Sequence, residues 1–209
     1  MKNILGENDK IADDNRKLFK DKKVFVINLM GSPGSGKTSL LELTIAKLKD
    51  EIKIAVIEGD LFTAKDAERI ERHNVPVIQI NTAGGCHLDA AMVRRAAESL
   101  NLDELNLIIV ENVGNLVCPA EFDVGENVKA VVLSITEGDD KPLKYPLIFK
   151  ESAVTILNKI DILPFTNFNL ESAHEDLTTL HPGIKIIETS CTNGKGLDDW
   201  CNWIKNSIC

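Results

Sequence analysis

Short apolar runs along the chain alternate with segments whose apolar positions recur at helical spacing. The apolar runs predict strands at 24–30, 53–58, 76–80, 106–110, 128–135, 153–157 and 184–188. The segments between most of them predict helices at 37–50, 63–73, 88–99, 142–150, 168–180 and 195–208. Alternating strands and helices are typical of an α/β fold with a mostly parallel central sheet and helices on both faces.

Residues 1–22 follow a different pattern, because they are mostly polar and their apolar residues are scattered at roughly helical spacing. This pattern predicts an N-terminal amphipathic arm that packs on the rest of the chain or on a partner. A frayed tail explains the same composition. No repeat, low-complexity tract or linker interrupts residues 23–209. We therefore predict the arm at 1–22 and one domain over 23–209.

Composition narrows the class of protein. The 209 residues carry a net charge of −8, which disfavours a nucleic-acid backbone as a partner. No apolar run approaches the roughly 20 residues that cross a bilayer, and the N-terminus lacks the layout of a signal peptide. We therefore expect a cytoplasmic protein that binds no membrane. The odd number of cysteines, five, indicates thiol or metal chemistry rather than a disulfide framework.

The segment Gly31-Ser32-Pro33-Gly34-Ser35-Gly36-Lys37-Thr38 is a P-loop signature between a predicted strand and a predicted helix. Glycines allow successive backbone N–H groups to point at one phosphate, and the helix N-terminus favours negative charge. Lys37 can reach the β- and γ-phosphates, and the Thr38 hydroxyl can bind Mg²⁺. The candidates for nucleotide binding here are Gly31, Ser32, Gly34, Ser35, Gly36, Lys37, Thr38 and Ser39.

A second motif indicates that the base is guanine. Asn158-Lys159-Ile160-Asp161 directly follows a predicted strand. The Asp161 carboxylate can accept both donors on the guanine edge, whereas adenine would leave it unpaired at a large cost. Asn158 can bond the base or tie its loop to the P-loop, and the Lys159 stem can cover the base. Ser190 and Cys191 follow the last predicted strand and can back the base with N–H groups.

Acidic residues at strand ends are candidates for Mg²⁺ binding and hydrolysis, because ligands bind at the carboxyl ends of open parallel sheets. Asp60 lies at the carboxyl end of the second predicted strand, and Asp66 on the following segment is a candidate switch residue. Glu111 can bind Mg²⁺ through water, and the Gly114 N–H can contact the γ-phosphate. The catalytic candidates are Lys37, Asp60, Asp66 and Glu111. No water-orienting glutamine is evident, so we expect slow hydrolysis that depends on a partner surface.

Cysteine and histidine side chains form a third constellation. Cys86 and His87 precede a predicted helix, and Cys118 lies four residues beyond Gly114. Thiolate and imidazole favour Ni²⁺, Zn²⁺ or copper over hard cations. Three ligands are too few for a closed tetrahedral site, but two copies across a two-fold axis supply six. Buried cysteines with His87 as a helix cap would explain the same residues without a metal.

Six segments in this order resemble the HypB family of hydrogenase nickel-incorporation GTPases. They are the P-loop, Glu58-Gly59-Asp60, Cys86-His87-Leu88-Asp89-Ala90, 111–119, 136–140 and Asn158-Lys159-Ile160-Asp161. The resemblance implies a P-loop NTPase fold of the SIMIBI type, with GTP or GDP, Mg²⁺, Ni²⁺ and Zn²⁺ as ligands. By motif, Cys86, His87 and Cys118 would bind nickel or zinc, and Thr38, Asp60 and Glu111 would bind Mg²⁺.

The resemblance also implies partners. These are a second copy in a GTP-dependent homodimer, a HypA-like zinc-containing nickel chaperone, and the large subunit of a [NiFe]-hydrogenase. Two other functions stay open. A urease-type nickel accessory GTPase has the same fold and also combines GTP with nickel binding. Such proteins usually carry a Cys-Pro-His ligand motif, whereas here Cys-His and Cys-Pro are separate. A regulatory GTPase without a metal is the second.

Overall fold

The computed structural model describes the backbone of residues 2–60 and 65–208 and the side chains of residues 5–59 and 66–208. Strands in these ranges form one parallel sheet in the order β3-β2-β4-β1-β5-β6-β7. The strands are Phe25–Gly31 (β1), Ile54–Asp60 (β2), Val77–Asn81 (β3), Leu107–Glu111 (β4), Val128–Ser134 (β5), Val154–Asn158 (β6) and Lys185–Glu188 (β7). The central strands β1, β4 and β6 are buried almost throughout, as their apolar sequences predict.

Helices connect the strands and cover both faces, so the predicted α/β fold is confirmed. Their bounds are Lys2–Asp21 (α1), Lys37–Leu48 (α2), Lys65–Glu71 (α3), Ala90–Glu98 (α4), Cys118–Glu121 (α5), Lys141–Lys144 (α6), Pro146–Glu151 (α7), Leu170–Leu180 (α8) and Leu197–Ile208 (α9). Helices α2, α3 and α9 pack on one face. Helices α1 and α4 cover half of the other face, and α7 and α8 cover the rest. No helix within the described ranges combines the length and apolarity of a membrane span.

Helix α1 lies against α4 and the sheet. Phe19 is 1% exposed and belongs to the same apolar cluster as Val93 of α4. The buried Asn15 donates from Nδ2 to the carbonyl oxygens of Ala90, at 2.8 Å, and Val124, at 3.0 Å. Both an apolar contact and buried hydrogen bonds therefore hold this helix. The division of the chain at residue 22 stays a prediction.

The structure departs from the predicted elements around residue 145. The expected helix over 142–150 is two short helices, α6 and α7, with Tyr145 between them at φ −127° and ψ 57°. Pro146 has no N–H to donate, and its ring disfavours the helical conformation in the preceding residue. The sequence pattern also gave no sign of α5 or of the 3₁₀ helix over Ile160–Phe165, because both are too short for periodicity to be visible.

Candidate nucleotide and metal site

The predicted P-loop joins β1 to α2. Gly36 ends the loop with φ at 99°, and a Cβ there would lie 2.3 Å from Nδ2 of Asn158. Only glycine therefore fits. Lys37 turns back over the loop, and its Nζ donates to the carbonyl oxygens of Gly31 at 3.2 Å and Ser32 at 3.1 Å. Burial lowers the pKa of Lys37, while nearby carboxylates oppose that effect.

Thr38 and Glu111 meet beneath the loop. The Thr38 hydroxyl donates to Oε1 of Glu111 at 2.7 Å, and Oε2 of Glu111 is buried with no hydrogen-bond partner among the described residues. Burial raises the pKa of Glu111 to about 7, although the Lys37 charge and the Thr38 hydrogen bond oppose the rise. An orphaned carboxylate oxygen beside a hydroxyl is an oxygen donor set that fits Mg²⁺.

The other two acidic candidates differ in what the structure says of them. Asp60 ends β2, but its side chain lies outside the described residues. Asp66 lies in the first turn of α3, where Oδ1 accepts a hydrogen bond from Arg69 at 3.1 Å. The same Arg69 bonds Ser39 at 3.1 Å and Glu42. Asp66 therefore stands at the edge of the nucleotide pocket in an ion pair.

The guanine motif lies beside the P-loop. Asn158 donates from Nδ2 to the carbonyl oxygen of Ser35 at 2.9 Å, which ties its loop to the P-loop; its contact with the base stays a prediction. Lys159 donates to the carbonyl oxygen of Gly34 at 2.7 Å. The Ser190 hydroxyl donates to Oδ1 of Asp161 at 2.6 Å. The structure thus brings the Asn-Lys-x-Asp segment and the loop after β7 together.

The thiol of Cys191 lies 3.6 Å from Oδ1 of Asn158, and burial raises its pKa.

A cleft of ≈ 420 Å³ runs along the P-loop edge of the sheet, and this volume is within the size range of ligand pockets. Its wall includes most of the phosphate-binding candidates together with acidic residues and the segment after β4. The lining residues are Pro33, Gly34, Gly36, Lys37, Thr38, Ser39, Glu58, Gly59, Asp66, Arg69, Glu111, Asn112, Val113, Gly114 and Lys159.

Cys86, His87 and Cys118 form a cluster in which one ligand atom from each residue lies within 4.8 Å of the others. The two sulfur atoms are 2.8 Å apart, and Sγ of Cys86 is 3.6 Å from Nδ1 of His87. The ring of His87 stacks on Phe122 at a centroid distance of 3.7 Å. Burial lowers the pKa of His87, which favours the neutral imidazole that binds metals.

The thiols in this cluster influence each other. The hydrogen bond with Cys86, burial and the charge of Cys86 raise the pKa of Cys118, and a hydrogen bond from the Asn115 side chain opposes the rise. The neighbouring thiol thus hinders the ionisation of Cys118, and a bound cation would remove that cost. Sulfur and imidazole donors match Ni²⁺ or Zn²⁺ better than Mg²⁺.

A family model described as CobW/HypB/UreG, nucleotide-binding domain, matches residues 25–188. The hydrogenase maturation factor HypB of Escherichia coli strain K12 is 50% identical over 206 residues, which cover 99% of this chain and 71% of that protein. The chain belongs to the HypB family. The HypB structure from Archaeoglobus fulgidus has a TM-score of 0.92 and 35% identity, and the match covers 98% of this chain and 100% of that one.

HypB from Helicobacter pylori in complex with nickel also has a TM-score of 0.92, with 38% identity, and covers 97% of this chain and 95% of that one. An LAO/AO transport system kinase shares only the fold, with a TM-score of 0.61 and 14% identity over 99% of this chain and 75% of that one. These similarities agree with the predicted P-loop NTPase fold of the SIMIBI type.

Asn112 and Asn115, which the sequence did not single out, hydrogen-bond to neighbouring parts of this HypB-family site. Asn112 accepts at Oδ1 from the N–H of Leu88, at 3.0 Å, and donates from Nδ2 to Asn28 of β1 at 3.1 Å. Asn28 in turn donates to the buried Glu126 at 3.2 Å. Asn115 donates to the carbonyl oxygen of Cys86 at 3.4 Å. Asn112 and Asn115 lie in the 111–119 segment that carries the resemblance. Their position directly after a buried strand was the feature of the sequence that could have indicated them.

Proposed function

We propose that this protein is a GTP-hydrolysing metallochaperone that binds Ni²⁺, with Zn²⁺ as a competitor, and delivers nickel for [NiFe]-hydrogenase maturation in the cytoplasm. The observation that carries the proposal is the cluster of Cys86, His87 and Cys118, whose ligand atoms lie within 4.8 Å of one another. The segment that carries Cys118 contacts the phosphate-binding loop, since the N–H of Asn115 donates to the carbonyl oxygen of Gly31. The metal and the nucleotide would therefore bind to two segments that contact each other.

GTP is the nucleotide that the Asn-Lys-x-Asp segment beside the P-loop favours. Asp161 accepts from Ser190 at 2.6 Å and has further lone pairs for the two guanine donors. The N-terminus of α2 and Lys37 would bind the phosphates. A nearby Mg²⁺ would be held by Thr38 and Glu111, with Asp60 as a further candidate, and it would neutralise phosphate charge during hydrolysis. Asp66 in its ion pair with Arg69 is the candidate switch residue.

A second copy of the chain would complete the metal site. Three ligands leave a tetrahedral or square-planar ion open, and a two-fold axis near the cluster would bring six. Val117, next to Cys118, is half exposed, so the cluster lies at the surface where a partner can reach it. We propose a GTP-dependent homodimer, a HypA-like zinc-containing chaperone and the hydrogenase large subunit as its partners.

A nickel titration of the full chain tests this function. It would be run without nucleotide, with GDP and with a non-hydrolysable GTP analogue, following thiolate-to-metal charge-transfer absorbance and molecular mass. We expect a charge-transfer band and tight binding that changes with the nucleotide. Cys118→Ala should weaken binding strongly, because one of the few ligands is lost. Cys201→Ala is the matched control, because Cys201 is buried in the core cluster with α2 and α9.

The opposing outcomes are clear. No charge-transfer band in any nucleotide state would make the cysteines structural and would favour a metal-free regulatory GTPase. Equal loss of nickel binding in Cys118→Ala and Cys201→Ala would indicate general unfolding and would remove support for Cys118 as a ligand.

A further inference from the structure

The segment 112–118 lies against the P-loop at two adjacent points. The N–H of Asn115 donates to the carbonyl oxygen of Gly31 at 3.0 Å, and the two residues form an isolated antiparallel bridge. Gly114 packs so closely that a Cβ there would lie 2.8 Å from the nitrogen of Pro33. Because packed backbones at this distance cannot slide freely past each other, a shift of the P-loop moves this segment.

The side chain of Asn115 faces the metal cluster from the same position. Its Nδ2 donates to the carbonyl oxygen of Cys86 at 3.4 Å. Its Oδ1 accepts from the N–H of Val117 at 2.8 Å, which fixes the turn that leads into Cys118. One residue thus contacts the P-loop with its backbone, and its side chain contacts the backbone of Cys86 and of Val117, the neighbour of Cys118.

We infer that Asn115 is the positioning residue through which nucleotide bound at the P-loop sets the geometry of Cys86 and Cys118. The inference rests on the proposed function, since it assigns the regulation of that same metal site. Asn115 acts on the metal through the two cysteines. Residues that orient metal ligands in this way typically change metal affinity by about 10- to 100-fold when they are replaced.

Asn112 offers a second connection, from β1 to the N–H of Leu88, but it is 1% exposed and belongs to a buried polar network. Removing it would leave several polar groups unpaired and damage the fold. Asn115 is half-buried at the surface, so its side chain can be removed with less harm. It is therefore the position at which coupling can be separated from folding.

The test measures coupling rather than affinity alone. Nickel affinity of the wild-type chain and of Asn115→Ala is measured with GDP and with a non-hydrolysable GTP analogue, and nucleotide affinity is measured with and without Ni²⁺. Coupling between two sites is reciprocal and commonly amounts to about 5- to 150-fold. We expect the nickel affinities of the wild-type chain with the GTP analogue and with GDP to differ by such a factor, which is the coupling ratio. In Asn115→Ala the ratio should fall close to one, while nucleotide affinity without metal stays unchanged.

Two further variants keep the test sharp. Asn202→Ala removes an exposed asparagine on α9 and should keep the wild-type ratio. Asn115→Ser keeps an oxygen that can accept from the Val117 N–H but is too short to reach the Cys86 carbonyl oxygen. It should lose the ratio as Asn115→Ala does, and it replaces that variant if the alanine protein does not bind nucleotide.

The outcomes separate the two proposals. If Asn115→Ala weakens nickel binding equally in every nucleotide state, so that the ratio persists, Asn115 only supports the site and the inference is overturned. If the wild-type chain binds GTP and Ni²⁺ independently, the inference fails and the proposed metal and nucleotide binding stand. If the wild-type chain binds no metal, both fail together.

Discussion

Asp161 is the residue on which we predict that the choice of nucleotide depends. Its carboxylate accepts from Ser190 at 2.6 Å, and Asn158 and Lys159 fix the loop that carries it to the P-loop. A carboxylate in this position suits a base edge with two donors. An amide there would present a donor of its own to one of them.

Asp161→Asn should therefore weaken GTP binding by roughly 10- to 100-fold, because hydrogen bonds to charged groups are worth about 1.5–3 kcal/mol. Xanthosine triphosphate, which carries a carbonyl where guanine has its amino group, should gain affinity in the same variant. Competition binding with GTP, ATP and xanthosine triphosphate measures both effects. An unchanged preference for GTP over the other two nucleotides would remove Asp161 from the base site.

Glu126 is a second residue with a measurable signature. It is 6% exposed, and its two oxygens accept from Asn28 and from the N–H of Val124. Burial raises the pKa of Glu126 to about 7, with the charge of Lys129 opposing the rise and the charge of Asp123 adding to it. The folded chain therefore retains a proton that the unfolded chain releases at a lower pH.

The sign of the pH effect follows from that proton. Between the usual carboxyl pKa near 4.5 and the raised value of about 7, the folded state binds more protons, so the free energy of unfolding falls as pH rises. Glu126→Gln stays neutral at every pH, although its NH₂ group replaces one of the two accepting oxygens at a cost that does not depend on pH. Relative to this variant, the wild type should therefore lose on the order of 3 kcal/mol of stability between about pH 5 and about pH 8.

Chemical denaturation at a series of pH values measures this difference. A stability gap between the two proteins that stays constant with pH would show that Glu126 does not titrate in the folded state. The acidic end of the series serves as the internal control, since both side chains are neutral there.

Among single residues, the sequence indicated candidate residues for the site but not the contacts that connect them. The types and spacing of Lys37, Asp161 and the Cys-His cluster were visible because each chemistry requires specific atoms. The contact of Asn115 with Gly31 was not, because it depends on how the segment after β4 folds back over the P-loop. Such long-range contacts leave no periodic signal in the chain.

Among the elements, α1 raises the question of how firmly an N-terminal arm is attached. Its pattern left both a packed arm and a frayed tail open. The structure places Phe19 in an apolar cluster with strand and α4 residues, and Asn15 spans two backbone carbonyl groups.

Phe19→Ala should lower the free energy of unfolding by about 3–5 kcal/mol, the usual cost of deleting a buried phenylalanine ring. Lys17→Ala is the matched control on the same helix, because Lys17 is exposed and its ion pair with Asp14 lies at the surface; such pairs contribute at most about 1 kcal/mol. Urea unfolding measures both. A small effect of Phe19→Ala would indicate that α1 is not part of the cooperative fold.

The strands and the longer helices were predictable, whereas the shortest helices were not. Strands buried on both faces are visible as continuous apolar runs, and α2 begins at Lys37 as its P-loop requires. The prediction of one helix over 142–150 was wrong at Tyr145, because the helical pattern continues through that residue whereas Pro146 begins a new helix. Helix α5, with four residues, is shorter than the window in which a period can be recognised.

For the whole molecule, the open question is whether one chain or two hold the metal. The cluster lies beside the exposed Val117 and offers three donor groups. A site completed by a second copy makes metal affinity depend on protein concentration, because metal binding and association are then linked. A site within one chain has no such dependence.

Mixing two variants that each lack one thiol of the cluster distinguishes a site shared by two chains from a site within one chain. Cys86→Ala and Cys118→Ala each lack one thiol per chain, and an equimolar mixture contains dimers that retain one Cys86 and one Cys118 across the axis. If one ion binds between chains and needs both a Cys86 and a Cys118 thiolate, the mixture with a GTP analogue should show a stronger charge-transfer band than either variant alone, and the band should weaken on dilution. Recovery depends on a shared site, since thiols confined to one chain cannot complement each other. A wild-type band that is independent of dilution, with no recovery on mixing, would place the metal within a single chain.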